Sequence, residues 1–194
     1  MALLCASLAG CTHARDCHAS ASAPDALVSS TYQAPATEAF TAEQLLLGVL
    51  ELIKNLDKAD QLTLGRLSEA MRQPARAFGP GHAGYGGRLT DHWSFALELK
   101  RAETKRARLD LDFIDTTPEQ SSVATDICAL DFIRFASALK AAGFMQTTIY
   151  GEHGRIAYEM FARQDLGVVV DTAGEASTTS ILTAHRCVRH VTVQ

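Results

Sequence analysis

The chain has 194 residues, of which 47% are hydrophobic and 21% are charged, with a formal net charge of −4 at pH 7. This composition is typical of a globular protein and excludes a fully disordered chain. The length supports one domain of ordinary size with a tail. The acidic balance argues against a dedicated nucleic-acid binder, whose phosphate contacts require a surplus of Lys and Arg.

The first ten residues, MALLCASLAG, form a short apolar segment that ends in small residues directly before Cys11. The tetrapeptide LAGC at Leu8–Cys11 resembles the lipobox of bacterial lipoproteins. In that family a signal peptidase cuts before the cysteine, whose thiol then carries a diacylglycerol that holds the protein at a membrane. The resemblance implies a signal peptide over residues 1–10 and lipidation at Cys11. Thr12, where Asp would favour the inner membrane, implies attachment to the outer membrane, facing the periplasm.

Residues 11–38 are rich in Ala, Ser, Thr and Pro and have few large apolar side chains. Such a segment cannot bury enough surface to offset the entropy lost on folding. We therefore predict a lipidated Cys11 with a flexible tether over residues 11–38 and a single globular domain over residues 39–194. A coil of about 27 residues has a typical reach of roughly 30 Å.

Five cysteines are present, and two of them, Cys128 and Cys187, lie in the predicted domain. Because the periplasm is oxidising, we expect these two to form a disulfide, which contributes about 4 kcal/mol in the chain-entropy model. The alternative is a pair of buried reduced thiols. Cys17, in the tether, either stays free, pairs between molecules or competes for Cys128.

The domain is predicted to begin with two helices. Thr41–Gln44 fits a capping box, and apolar residues then recur at helical spacing from Leu45 to Leu56. A second helix is predicted over residues 63–73, where Leu64, Leu67 and Met71 fall on one side, and Pro74 ends it. Residues 79–87 follow as GPGHAGYGG, which contains G-x-G-x-x-G. A dinucleotide-binding loop needs a strand before this motif and a helix starting inside it, so we predict a flexible connector.

The remaining segments alternate apolar and polar residues, which predicts antiparallel strands with one face against a core. A third helix is expected among them, with Asp126 or Asp131 as its N-cap and Gly143 in the left-handed position after its end. The order α-α-β-β-α-β-β-β-β indicates an α+β domain, with helices packed on one face of a mostly antiparallel sheet. The strands are predicted over residues 93–100, 108–113, 145–150, 155–163, 166–171 and 180–193, and the third helix over about 126–142.

The sequence lacks the common signatures of nucleophilic, zinc-dependent and nucleotide-binding sites. We therefore predict no catalytic residue, no metal and no cofactor. A thiol at Cys187 stands between His185 and His190, but on a strand His190 points away from the other two, which disfavours zinc. Asp110 and Asp112 are predicted to lie on a solvated strand face rather than in a calcium site.

Two predicted hairpin turns are candidate contacts for a partner protein. The first is basic and offers Arg101, Lys105 and Arg106 to an acidic partner. The second, Gly151–Gly154, presents Glu152 and His153 on a turn that could enter a partner's cleft. The alternative for both turns is that their residues are polar simply because turns are solvated.

The lipobox, tether, small α+β domain, expected disulfide and missing active site together resemble periplasmic lipoproteins that neutralise toxins of antibacterial secretion systems or inhibit lysozyme. The resemblance implies a non-enzymatic immunity or inhibitor protein whose partner is an effector that degrades cell wall or lipid. The alternatives are a structural accessory lipoprotein of a secretion or envelope assembly, and a small periplasmic enzyme that uses residues 79–87 as a lid.

Overall fold

The computed structural model describes residues 39–101, 106–119, 122–173 and 186–194. The predicted signal peptide, Cys11, the tether and Lys105 lie outside these residues. The described helices span Ala42–Lys54 (α1), Leu64–Met71 (α2) and Phe132–Ala141 (α3). The described strands span Arg76–Gly79 (β1), His82–Arg88 (β2), Trp93–Lys100 (β3), Arg108–Asp115 (β4), Met145–Tyr150 (β5), Ile156–Arg163 (β6), Leu166–Ala173 (β7) and Cys187–Val193 (β8).

The strands form one antiparallel sheet in the order β1-β2-β3-β4-β8-β7-β6-β5. This arrangement confirms the predicted α+β class with a mostly antiparallel sheet. The order is also symmetric, because two four-stranded meanders, β1–β4 and β5–β8, join through their last strands. Each meander follows a helical segment, so the fold repeats one topological unit although the sequence shows no internal repeat.

The prediction of a flexible connector at residues 79–87 is wrong, because most of this segment forms the hairpin β1–β2. Gly81 occupies the turn with φ +65°. A Cβ at Gly84 would collide with the carbonyl oxygen of Leu97 on β3, so the glycine permits close strand pairing. The predicted element order therefore lacked two strands. The G-x-G-x-x-G motif lies on a hairpin and does not begin a helix.

The helix ends follow the local signals in the sequence. At α1, the Gln44 amide donates to Thr41 Oγ1 at 3.1 Å and the Thr41 amide donates to Gln44 Oε1 at 2.8 Å, which completes the capping box. Asp131, rather than Asp126, caps α3. Gly143 has φ +87°, and the Phe144 amide donates back to the Leu139 carbonyl at 3.1 Å, as in a Schellman ending.

The three helices cover one side of the sheet, which we call the inner face. Phe132 on α3 packs against Phe161 on β6, and Phe40, just before α1, packs against Phe95 on β3. Because successive strand residues point to opposite faces, every second residue of a strand lies on this helix-covered side. These side chains supply most of the core. One row of paired residues crosses the inner face as Tyr85, Leu97, Leu111, Val191, Val170, Glu159 and Thr148.

A disulfide joins Cys128, at the end of a 3₁₀ turn after β4, to Cys187 at the start of β8. Their Cα atoms lie 4.8 Å apart, within the ordinary range for a disulfide. This is the pair expected from the sequence, and it fastens the segment before α3 to the centre of the sheet. None of the described helices is both long and apolar enough to cross a bilayer.

Candidate protein-binding face

On the second side of the sheet, which we call the outer face, the residues are polar near the centre and apolar towards one edge. Its polar part lies on β3, β4 and β8, and its apolar part lies on β5, β6 and β7. A single row of paired residues shows the change, running through Gly84, Glu98, Asp110, Thr192, Val169, Met160 and Thr147.

The apolar part, the outer patch, consists of Met145, Ile149, Tyr158, Met160 and Val169. Strand register brings Ile149 beside Tyr158 and Met160 beside Val169. Met145 is 75% exposed, and Tyr158 and Met160 are 36% and 38% exposed. Large apolar side chains that cluster in this way on a surface indicate a binding site, whereas scattered ones do not.

The same hairpin carries further exposed apolar residues towards its tip, where Tyr150 pairs with Ile156. Five of the eleven large hydrophobic residues exposed in the described part of the chain therefore belong to β5 and β6. The predicted turn Gly151–Gly154 forms the tip, where the Gly151 amide donates to the Arg155 carbonyl at 2.8 Å. Glu152 and His153 are both exposed there.

The other predicted turn, between β3 and β4, is used differently. The guanidinium of Arg101 donates to the carbonyls of Asp60 and Leu62 at 2.7 and 2.8 Å. Arg101 therefore ties the base of the hairpin to the loop between α1 and α2, and its contact with a partner stays a prediction. Arg106 is exposed and lines an open cleft of about 490 Å³ beside the β6–β7 turn.

The two predicted turns do not form one surface. The β3–β4 turn lies at the end of the sheet where Leu109 pairs with Val193 and Arg163 pairs with Leu166. The Gly151–Gly154 tip lies at the opposite end of β6, a strand of eight residues. At about 3.3 Å per residue the separation is roughly 25 Å. Glu152 and His153 can join the outer patch in one contact, whereas Arg106 cannot.

A hydrogen-bonded network occupies the polar part of the outer face. His190 Nδ1 lies 2.5 Å from Asp112 Oδ1, and His190 Nε2 lies 2.8 Å from Thr192 Oγ1. The Thr192 hydroxyl also donates to Asp110 at 2.8 Å, and Arg108 binds both carboxylate oxygens of Asp110. The prediction of a solvated face is therefore wrong for Asp110, which is buried.

The order Asp112–His190–Thr192 matches that of a catalytic triad, but the hydroxyl is not placed to attack a substrate. Thr192 is 4% exposed, and its oxygen is shared among Asp110, His190 and Arg108. A nucleophile needs an accessible oxygen whose proton its base can take. Within the described ranges, no three or more His, Cys, Asp or Glu residues are grouped as a metal site would require.

Under the outer patch, on the inner face, lies a buried ion pair that is not predicted from the sequence. Glu159 is 1% exposed and binds Arg186 Nη1 at 2.9 Å, Gln146 Nε2 at 2.9 Å and Thr148 Oγ1 at 2.7 Å. Burial raises the pKa of Glu159, but the hydrogen bonds from Gln146, Thr148 and Arg186 outweigh it and leave the pKa below its ordinary value. One signal was available, since Glu159 shares a strand face with Phe161.

The pKa of Asp115 is also perturbed, for a reason that concerns the fold. Burial raises the pKa, while hydrogen bonds from the amides and hydroxyls of Thr117 and Ser122 lower it far below its ordinary value. These bonds hold Thr117 and Ser122 against the end of β4. The carboxylate is thus occupied within its own loop.

Comparison of the chain with protein-family models, curated proteins and solved structures found no match. Two features distinguish the outer face: the exposed apolar patch, most of which lies on the β5–β6 hairpin, and the polar tip of the same hairpin at Glu152 and His153.

Proposed function

We propose that this protein is a periplasmic, lipid-anchored immunity or inhibitor protein, which binds and neutralises an antibacterial effector that hydrolyses cell wall or lipid. The outer patch is the single observation that carries the binding part of this proposal. The lipobox-like Leu8–Cys11 and the composition of residues 11–38 support the anchored, periplasmic part.

The chemistry of the patch suits a protein partner. Tyr and Met are enriched in protein interfaces, because Tyr combines a large apolar ring with a polar hydroxyl and Met adapts its shape to the partner. Tyr158 and Met160 stand on the same face at successive alternate positions, with Ile149 and Val169 beside them. The polar tip and the network at Asp112 and His190 border this apolar centre, as a polar rim borders an interface core.

Inhibition requires occupation of a cleft and no chemistry by the inhibitor. The tip Gly151–Gly154 is a short turn closed by the hydrogen bond from the Gly151 amide to the Arg155 carbonyl. Glu152 offers a carboxylate and His153 an imidazole to polar groups in a hydrolase cleft. A tether to the membrane raises the concentration of the domain where an effector enters the periplasm.

The test is capture of the partner followed by titration of its activity. The full chain, purified after oxidative folding, is immobilised and exposed to secreted effectors from a competing strain. We expect it to retain a hydrolase at equal stoichiometry and to abolish its activity on purified cell wall or lipid. Recovery of secretion-channel subunits without any hydrolase would instead support the structural accessory role.

Variants connect the activity to the face. The double variant Tyr158→Asp, Met160→Asp places charge in the outer patch and should weaken inhibition by about 30-fold or more, as loss of an interface hot spot does. Ile133→Asp is the matched control, because Ile133 is an exposed apolar residue on α3, outside the patch. Equal inhibition by the double variant and the control would remove the patch from the proposal.

A further inference from the structure

We infer that β5 is a self-association edge, at which a second copy of this chain adds its own β5 antiparallel and continues the sheet across a twofold axis. The partner is thus a second copy of the protein. The inference goes beyond the proposed function, since it concerns how the chain pairs with itself, whether or not an effector binds.

The first observation is the free edge. β5 ends the strand order, and no other described strand pairs with its second side. The Gly151 amide points towards β6, where it meets the Arg155 carbonyl. Because amides alternate along an extended strand, those of Gln146, Thr148 and Tyr150 point away from β6, and their carbonyls do so too. An added β-strand is the partner that can bond to this row of amides and carbonyls at the edge.

The second observation is the lack of protection. Edge strands commonly carry Lys, Pro or inward charges that block pairing with other chains. β5 has the sequence MQTTIY, with neither charge nor proline. The opposite edge, β1, begins with Arg76 and carries an extra residue between Ala77 and Gly79, so its own strand is bulged and protected, whereas the extra residue in the β5–β6 register lies in β6 and leaves β5 regular. The contrast singles out β5 as the edge that pairs.

The third observation is self-complementarity. A twofold axis at Thr148 pairs Gln146 of one copy with Tyr150 of the other and keeps both inner faces on the same side. It also places Thr147 beside Ile149 of the second copy on the outer face. Met145 and Tyr150, 75% and 65% exposed at the two ends of β5, would both be covered.

Charges at the ends of β5 are also complementary. Exposed Lys140 precedes β5, in the last turn of α3, and exposed Glu152 follows it at the tip. Antiparallel pairing about Thr148 sets Glu152 of one copy opposite Phe144 of the other, four residues after Lys140, while no like charges meet along the strand. The outer patches of the two copies would then become one continuous apolar surface.

The experiment is sedimentation equilibrium of the full chain with Cys11→Ser, folded under oxidising conditions. The substitution removes the predicted acylation site, so no detergent contributes to the mass. We expect the 20.9 kDa monomer at high dilution and twice that mass at higher concentration, with a dissociation constant of about 10 μM or tighter. A chain that stays monomeric over the whole range would overturn the inference.

Hydrogen exchange of the same sample locates the contact. The amides of Gln146, Thr148 and Tyr150 should become protected as concentration rises, while those of Thr147 and Ile149 stay protected throughout. Thr147→Lys, which sets two like charges near the axis, should weaken association by at least about tenfold. Ala77→Lys on exposed β1 is the matched control and should leave association unchanged. Association without protection at β5, or unaffected by Thr147→Lys, would contradict the proposed edge.

Discussion

The carboxylate of Glu159 fastens the β5–β6 hairpin to the start of β8, because it binds Thr148 on β5 and Arg186 beside Cys187. Removing one partner of a buried ion pair leaves the other charge uncompensated. Glu159→Gln should therefore lower the free energy of unfolding by about 2–4 kcal/mol at neutral pH. Glu69→Gln, an exposed change on α2, should have almost no effect. Urea denaturation measures both variants.

The same change has a defined pH dependence. The pKa of Glu159 is lowered below its ordinary value of 4.5, so the ionised carboxylate stabilises the folded state above that value. This stabilisation is lost as the pH falls from 4.5 through the lower folded pKa. The difference between the native chain and Glu159→Gln should shrink accordingly in acid. A difference that stays constant down to about pH 3 would contradict the assigned ion pair.

Arg101 and Arg106 differ in their contacts, because Arg101 binds backbone carbonyls of another loop whereas Arg106 is exposed. Arg101→Ala removes two charged hydrogen bonds to the carbonyls of Asp60 and Leu62 and should cost about 1.5–3 kcal/mol of stability. Arg106→Ala should stay within about 0.5 kcal/mol of the native chain, as most exposed substitutions do. Thermal or denaturant unfolding of the two variants gives the comparison. Equal stability of both would show that the Arg101 contacts contribute little.

The elements differ in how far the sequence predicts them. The start of α1 and the end of α3 follow from the sequence because Thr41, Gln44 and Gly143 act within a few residues of the helix they limit. The hairpin β1–β2 is not predicted, because glycines disfavour a strand when only local sequence is considered. Glycine is used there because β2 pairs closely with β3.

The same distinction between local and long-range signals applies to the site. The tip at Gly151–Gly154 is a local turn, whereas Glu159 and Arg186 lie 27 residues apart and meet only through sheet register.

The disulfide joins the 3₁₀ turn before α3 to the start of β8, beside an isolated antiparallel bridge between Asp131 and Cys187. It closes a loop with a sequence separation of 59 residues. The double variant Cys128→Ala, Cys187→Ala should lose about 2–5 kcal/mol of unfolding free energy, because its unfolded chain is less restricted. A reducing agent should destabilise the native chain by a similar amount and leave the variant unchanged. Insensitivity of the native chain to reduction would contradict a stabilising disulfide.

The β5–β6 hairpin combines the features that bear on function. It carries most of the outer patch, the tip with Glu152 and His153, and the free edge at β5. Its inner face is anchored by Glu159 and Phe161, so the exposed side chains stand on a fixed support. A rigid support lowers the entropy lost on binding. Binding and self-association are therefore expected to involve this hairpin rather than the β3–β4 turn.

The whole molecule is proposed to combine three parts: an anchor at Cys11, a tether that ends near residue 38, and a domain with a helix-covered inner face and a binding outer face. Under this proposal neither the anchor nor the patch protects a cell alone, because the domain must be present where the effector enters and must also hold it. The protective function should consequently fail when either part is removed.

Survival of a strain that lacks this protein, during co-culture with an attacker that delivers the effector, tests the protective role most directly. We predict that the native chain restores survival, that Ile133→Asp does so equally, and that both Cys11→Ser and the pair Tyr158→Asp, Met160→Asp do not. Undiminished survival of the strain without the protein, or full rescue by the pair of aspartate substitutions, would contradict the account.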